Sequence, residues 1–225
     1  EFALEEALRI RERNPDTEVI LVSLGPECFR DTLRAGLAMG ADRAVHLLDP
    51  LFAEADSLTT AYLLGQAATS LGFDLIFCGR QAVDDDMAQI GPAVAVYLQI
   101  PCITTLTKLE FLEDRSRVVA TRQIEGGSEI IESPLPVLFT CQKGLNQPRL
   151  PSFKGIMASK KKEIEIIDAN DLAFAPNERC ASTSTLHQTR LSLPDRRGKG
   201  KIIDGSINDA VMQLVKILRE QEKVV

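Results

Sequence analysis

LIFCGRQAVDDDMAQIG, residues 75–91, is the stretch that decides the fold of this chain. It begins with an apolar run that ends at Gly79, continues through a polar loop with three consecutive aspartates, and ends in a helix-like segment. A buried parallel strand that leads through a loop into a helix is where α/β proteins bind nucleotides, because N–H groups at the helix start point at a ligand above the sheet edge. The stretch therefore predicts a nucleotide site.

The residues on the N-terminal side alternate between helical and strand patterns. Helices are predicted over 2–14, 28–39 and 56–71, strands over 18–24, 43–48 and 75–78, and a further helix over 87–99. This αβαβαβα order predicts an α/β fold of three layers, with a mostly parallel sheet and helices on both faces. Such a fold is Rossmann-like or adenine-nucleotide α-hydrolase-like.

The pattern changes after residue 101. Short β runs predict antiparallel strands added to the sheet, over 102–106, 108–112, 117–122, 129–132 and 137–141. Residues 142–162 are rich in Gly, Pro, Lys and Asn, which predicts a long surface loop. We expect a nucleotide-binding domain over 1–167 and an extended C-terminal arm over 168–225, whose helix at 207–218 docks on another surface.

Composition excludes several classes of function. The net charge of −6 and the absence of Trp argue against nucleic-acid binding. No stretch reaches the ~20 apolar residues of a membrane span, so direct membrane insertion is not expected. The five cysteines form no CxxC pair and no metal-ligand spacing, and Cys78 and Cys141 are predicted to be core residues in a reducing compartment.

Catalytic motifs are missing from the sequence. It contains no GxSxG, P-loop, HExxH or GxGxxG pattern. The two histidines, His46 and His187, fall in a predicted strand and in the polar arm, which does not suit a general base. We therefore predict no catalytic residues and no metal site. The protein is expected to bind and carry a ligand rather than to perform acid–base chemistry.

Two strand ends are candidate ligand sites, at Gly25-Pro26 and at Gly79. Both can be ordinary strand-to-helix turns, and Asp84–Asp86 can serve as N-caps of the following helix. Alternatively, their carboxylates accept hydrogen bonds from a ribose or an adenine amino group. A phosphate would then lie beyond them, on the N–H groups of residues 88–90.

The lysines at 160–162 follow the apolar residues Phe153, Ile156 and Met157. They form either a solvated basic run or a partner-binding patch, in which an exposed apolar anchor is flanked by positive charge on an otherwise acidic protein.

Four stretches carry a family resemblance: AMGADRAVHL (38–47), GRQAVDDDMAQIG (79–91), RQIEGGSEIIESPLPVLFTCQKGLNQPR (122–149) and IMASKKK (156–162). Together they resemble the β subunit of electron-transfer flavoproteins over nearly the whole chain. Residues 122–140 are close to the family signature and depart from it at Phe139, where a smaller aliphatic residue is usual. The family β subunit normally begins with a strand and an Asn-Pro loop before the helix at Phe2, and this segment is absent from the sequence.

The resemblance implies an αβ heterodimer with one FAD, held mostly by the α subunit, and an adenine nucleotide, usually AMP, buried in the β subunit. In this sequence the nucleotide-binding positions are Leu24, Gly25, Gly79, Arg80, Gln81, Ala82, Val83, Asp84, Asp85, Asp86, Ala88, Gln89 and Ile90. The aspartates then face the adenosine, and the helix start holds the phosphate.

Two departures leave the ligand open between AMP and a second FAD. AMP-holding members usually carry Asn and Thr where this chain has Ala88 and Ile90, and AQIGP resembles members that hold a second FAD and split electron pairs from NADH. Those members, however, commonly have glycine in place of Asp85, which would crowd a diphosphate.

The resemblance also implies the partners. The loop at 142–162 would bind a donor of the acyl-CoA dehydrogenase type, with Phe153 at the position of the family's leucine anchor and with Ile156, Met157, Lys160, Lys161 and Lys162 around it. Electrons would pass to a membrane quinone reductase or similar acceptor, in fatty acid oxidation, in a bacterial cytoplasm or the mitochondrial matrix. The arm would wrap the α subunit. A stand-alone adenine-nucleotide-binding module is a further alternative, against which the loop and the arm argue.

Overall fold

A computed structural model of the chain describes residues 1–53, 55–113, 115–172, 184–186, 189–193, 200 and 202–224. The chain divides into two compact units, Glu1–His187 and Gln188–Val225. The predictions for Cys180, for His187 and for much of the arm lie outside the described residues.

As far as residue 99, the helices and strands of the first unit follow the predicted order. The helices are α1 (Phe2–Arg13), α2 (Phe29–Met39), α3 (Ser57–Leu71), α4 (Ile90–Leu98) and α5 (Phe153–Ser159), with a short 3₁₀ helix at Pro50–Phe52. The strands are β1 (Ile20–Leu24), β2 (Arg43–Leu47), β3 (Leu75–Gly79), β4 (Cys102–Phe111), β5 (Arg117–Ile124), β6 (Gly127–Pro134), β7 (Val137–Cys141) and β8 (Glu165–Ile167).

The strands form two hydrogen-bonded sheets. The first is parallel throughout, in the order β1-β2-β8. The second has the order β3-β7-β4-β5-β6, in which β7 pairs in parallel with β3 and β4, while β5 pairs antiparallel with β4 and β6. Among the described residues, β1 and β3 each pair with a strand on one edge only.

Helices cover both faces of the sheets. On one face, Leu8 of α1 packs with Leu33 of α2 over the β1–β2 side, while Ile10 of α1 reaches the core of the β7–β4 side. On the opposite face, Leu63 of α3 packs over β2, and Ala61 of α3 packs with α4 over β7. Thus α1 and α3 each bridge the two sheets, and the predicted three-layer α/β fold is confirmed.

Several details differ from the predicted pattern. The run 137–141 is a parallel strand rather than an antiparallel one, because it inserts between β3 and β4 and is buried along its whole length. The runs 102–106 and 108–112 belong to one strand, interrupted by an irregularity where Thr105 has a φ of 57°. The predicted loop 142–162 contains α5, and β8 was not predicted.

The second unit contains α6 (Ile207–Lys216), which continues into a π-helical turn at Ile217–Gln221. Ser206 caps α6 by accepting a hydrogen bond from the backbone N–H of Asp209. Ile207, Val211 and Met212 are exposed along the helix. In the part of the chain that the structure describes, no helix is both long enough and apolar enough to span a bilayer.

Candidate nucleotide site and partner surface

The two predicted strand ends lie where the chain changes face. After β1 the chain enters α2, which packs on the same face as α1, whereas after β3 it enters α4 on the face of α3. In an open α/β sheet, loops that leave neighbouring strands in opposite directions form a ligand crevice. Here β1 and β3 belong to different hydrogen-bonded sheets; Leu24 and Gly25 stand at the end of β1, and residues 79–90 run from the end of β3 to the start of α4.

The turn at Gly25 is fixed by β2. The N–H of Gly25 donates to the carbonyl of Leu47 (3.4 Å), and the carbonyl of Gly25 accepts from Nε2 of His46 (2.9 Å). His46 is fully buried, and its Nδ1 has no hydrogen-bond partner. A side chain at position 25 would collide with the ring of Phe29, so the turn requires glycine.

The aspartate loop is held by its own side chains. Nε2 of Gln81 donates to Asp86 (2.8 Å), and the carboxylates of Asp84 and Asp85 accept from the backbone N–H groups of Asp85 and Met87 (3.0 Å each). The three aspartates therefore stabilise the loop, and they remain exposed.

Helix α4 begins at Ile90, three residues later than predicted, and none of the three aspartates caps it. Its N-cap residue is Gln89, with φ −97° and ψ −31°, and the side chain of Gln89 makes no capping hydrogen bond. Ala88 before it has a φ of 53°. A left-handed residue followed by a right-handed one turns successive N–H groups toward a common point, which is the geometry of an anion-binding nest.

Positions around the loop combine close packing with polar side chains. A side chain at Gly91 would place its Cβ 2.7 Å from Thr140, so α4 packs directly on β7. Nη1 of Arg80 donates to Gln142 (3.1 Å), whose own amide donates to Gln123 (2.6 Å). These groups lie at the ends of β3, β7 and β5 and form a polar edge at the start of the aspartate loop.

The predicted partner residues lie on or near α5. Phe153 is 81% exposed, and Ile156 and Met157 are 42% and 47% exposed. Lys160 and Lys161 are exposed as well. Lys162 differs, because it is partly buried and its Nζ donates to the carbonyl of Ala41 (2.6 Å), so its charge is directed into the fold.

Two thiols in the second sheet, those of Cys78 and Cys141, have raised pKa values. Burial raises the pKa of Cys78 to about 11 and that of Cys141 to about 12, which agrees with the prediction that both are core residues. Cys28 is an exposed free thiol. No cluster of potential metal ligands occurs within the described ranges.

Sequence reasoning missed Phe29 and His46. The pattern predicted a strand at His46 but could not show that the ring lies under Gly25. The pairing of Ser23 with His46 in the β1–β2 register brings the two strand ends together, and that pairing is not visible in local sequence.

The fold belongs to the α/β class, in which ligands commonly bind outside the carboxyl ends of parallel strands. Residues 1–172 match the model of the family described as electron transfer flavoprotein domain. The chain is 43% identical to the electron transfer flavoprotein subunit beta of Thermoanaerobacterium thermosaccharolyticum, covering 99% of this chain and 85% of that protein. It is 36% identical to the same subunit of Bacillus subtilis, over 100% of this chain and 86% of the relative.

Another relative is subunit CarD of the caffeyl-CoA reductase-Etf complex of Acetobacterium woodii, with 38% identity over 97% of this chain and 84% of that protein. This chain belongs to the electron transfer flavoprotein family. The name β subunit, which these relatives carry, implies an α-subunit partner, and the family name implies a flavin. Electron transfer flavoprotein β subunits are electron carriers rather than enzymes in the usual sense.

Proposed function

We propose that this chain is the β subunit of a heterodimeric electron-transfer flavoprotein that accepts electrons from dehydrogenases of the acyl-CoA dehydrogenase type. It passes them to a membrane quinone reductase or a similar acceptor, in a bacterial cytoplasm or the mitochondrial matrix. FAD, held mainly by the α subunit, supplies the redox chemistry. This chain contributes a structural AMP site, a partner surface and an arm on the α subunit, and none of these tasks requires a nucleophile or a general base.

The observation that carries the AMP site is the uncapped start of α4. The side chain of the N-cap residue Gln89 makes no capping hydrogen bond, and Ala88 before it is left-handed, so the N–H groups of residues 88–90 suit a phosphate. The exposed carboxylates of Asp84 and Asp86 lie before this turn, where they can accept hydrogen bonds from the ribose or the adenine amino group. In this arrangement backbone N–H groups, rather than a basic side chain, bind the negative charge of the phosphate.

The second candidate is a flavoprotein that holds a second FAD in the same site and oxidises NADH. Two observations favour it: Ala88 and Ile90 are small or apolar, and a relative at 38% identity is named as part of a caffeyl-CoA reductase-Etf complex. Against it, the side chain of Asp85 bonds to the N–H of Met87, which fixes a carboxylate close to the helix start.

Counting cofactors in the purified αβ complex tests both candidates. We expect one FAD and one AMP per heterodimer, measured by absorbance and by mass spectrometry after denaturation. Two FAD and no AMP would establish the second candidate. A complex without flavin, or a chain that forms no complex with an α subunit, would refute both.

Reduction by an acyl-CoA dehydrogenase tests the donor. The complex should lose its flavin absorbance when mixed with catalytic dehydrogenase and excess acyl-CoA. Reduction by NADH alone, without dehydrogenase, would contradict the proposed donor class.

A further inference from the structure

His46 is a fully buried polar side chain to which the proposed function gives no role. Strand alternation places it on the face covered by α1 and α2, because its neighbours Val45 and Leu47 belong to the cluster under α3. Its Nε2 lies 2.9 Å from the carbonyl oxygen of Gly25, and its Nδ1 has no hydrogen-bond partner among the described residues. An apolar side chain could fill this volume without burying an unpaired nitrogen, so stability alone does not account for a histidine here.

The contact with Gly25 fixes where the imidazole ring carries a hydrogen. A carbonyl oxygen can only accept, so Nε2 of His46 is the donor and must be protonated. In the neutral ring, Nδ1 is then the nitrogen without a hydrogen. His46 therefore acts on the backbone of Gly25 as a hydrogen-bond donor.

The peptide between Gly25 and Pro26 has one polar group, its carbonyl. Because proline has no N–H, the orientation of this carbonyl decides which partial charge the peptide presents at the strand end. The carbonyl is directed at the ring of His46, inside the fold. The next carbonyl, that of Pro26, accepts from the N–H of Phe29 (2.9 Å) at the start of α2. Both carbonyls of the turn are thus bonded within the protein.

The register of β1 and β2 brings His46 to this position. His46 pairs with Ser23, and Leu47 pairs with Leu24, so the turn at Gly25 begins directly above them. The N–H of Gly25 also donates to the carbonyl of Leu47, but at 3.4 Å this bond is long. The bond from His46 is the shorter of the two and is therefore the stronger restraint on the end of β1.

We propose that His46 is a positioning residue for the adenine nucleotide, because its Nε2 keeps the carbonyl of Gly25 turned into the fold. The proposal rests on the proposed function, in which Gly25 is a nucleotide-binding position. Without the donor the carbonyl can rotate outward, where its partial negative charge repels a ligand that carries phosphate. Since His46 is fully buried, it acts through Gly25 rather than by touching the ligand.

His46→Gln and His46→Met separate the donor from the volume of the side chain. The amide nitrogen of glutamine lies as many bonds from Cα as Nε2 of histidine and can donate, whereas methionine has the same length and no donor. We expect His46→Met to weaken AMP binding by the αβ complex about tenfold, the size of one net hydrogen bond, and His46→Gln to stay within about threefold of wild type. Calorimetric titration of AMP into complexes freed of nucleotide measures both. Equal affinities for His46→Met and wild type would overturn the proposal.

Stability and AMP affinity should rank the two variants in opposite orders. Methionine is apolar, so urea unfolding should find His46→Met at least as stable as His46→Gln, which buries an additional amide oxygen. Val45→Ala is the matched control, because Val45 is also fully buried on β2 but faces α3. It should unfold at lower urea and bind AMP like wild type. If AMP affinity instead follows stability across the three variants, His46 has a structural role only.

Nitrogen NMR of the complex gives a readout that does not depend on stability. This chain contains two histidines, His46 and His187, so labelling its histidines with ¹⁵N yields few signals, and those of His46 are the ones missing from His46→Gln. We expect a hydrogen on Nε2 of His46 in the complex with AMP. An Nε2 without a hydrogen cannot donate to Gly25, and this result would refute the positioning role.

The outcomes also separate this inference from the proposed function. If the wild-type complex binds neither AMP nor a second FAD, the proposed nucleotide site is wrong, and the inference falls with it. If the wild type carries a second FAD, FAD replaces AMP as the probe, and the same order of His46→Gln above His46→Met is expected. If wild type and His46→Met bind the nucleotide equally well, the nucleotide site stands and the role of His46 is refuted.

Discussion

Replacing Glu5 by glutamine should reveal how much the buried ion pair with Arg149 stabilises the first unit. Hydrogen bonds from Arg149 lower the pKa of Glu5 to about 2, against the opposing effect of burial. The ordinary value is about 4.3, so the shift is about 2.3 units, and at ~1.4 kcal/mol per unit the charged form is favoured by about 3 kcal/mol. Glutamine keeps the volume of the side chain but removes the charge and turns an amide group toward two guanidinium groups, those of Arg149 and Arg9.

The pH dependence distinguishes charge from packing. Because the folded pKa of Glu5 is depressed, its contribution is fully present above about pH 4.3 and is lost as the pH falls through about 2. We therefore expect Glu5→Gln to lower the free energy of unfolding by about 3 kcal/mol at pH 7, by roughly 1–2 kcal/mol at pH 3, and by little near pH 2. Urea unfolding of the full chain at each pH measures this difference.

Glu12→Gln is the matched control. Glu12 bonds to the same arginine, and Arg149 lowers the pKa of its carboxyl, but its side chain is 53% exposed. Exposed ion pairs contribute about 0–1 kcal/mol, so this variant should be nearly as stable as wild type. A Glu5→Gln loss that is the same at pH 7 and pH 3, or no larger than that of Glu12→Gln, would refute the electrostatic account.

Three further predictions concern other sites. Gly91→Ala should lower the free energy of unfolding by about 1–3 kcal/mol, because its Cβ would lie 2.7 Å from Thr140, and an unchanged urea midpoint would contradict this packing. Ala88→Gly should leave the free energy of unfolding unchanged or raise it by up to about 1 kcal/mol, because glycine removes the strain of the left-handed backbone. The control Ala93→Gly, within α4, should lower the free energy of unfolding by about 1 kcal/mol. Equal losses in the two variants would contradict this prediction. At pH 8, mass mapping of alkylated thiols should find Cys28 labelled in the folded chain and Cys78 and Cys141 labelled only after unfolding, and early labelling of Cys141 would contradict its burial.

Local sequence patterns were enough to predict the helices that bury one face and the strands that consist of a continuous apolar run. Asp56 caps α3 through the N–H of Thr59, and Gly72 ends it, as their residue types indicate. Helix α5 was not predicted, because its large apolar side chains are exposed and the segment therefore lacks the periodic stripe of buried residues that indicates a helix. The prediction that β7 is antiparallel was wrong, although its uninterrupted run of apolar residues is typical of a buried parallel strand.

Contacts between residues that are distant in sequence account for the features that local patterns did not predict. Asp56 shows this, because its carboxylate also accepts hydrogen bonds from Thr185 (2.7 Å) and Leu186 (3.2 Å). Although burial acts to raise the pKa of Asp56, these bonds and those from Thr59 hold it well below its usual range. The residue that caps α3 is thus also the point where a segment about 130 residues later is fixed.

Glu5 and Glu6 show why the candidate partner surface was only half visible in the sequence. On a helical wheel of α1 they read as the solvent-facing side, yet both are buried, at 3% and 7% exposure. Charged residues are rarely buried unless they are paired, and their partners Arg149 and Asn146 lie about 140 residues away. No local pattern can report such a pairing, whereas the exposed residues it anchors could be recognised as an apolar and basic group. A prediction of this surface from sequence therefore finds the side chains that face outward and misses the buried carboxylates that fix their positions.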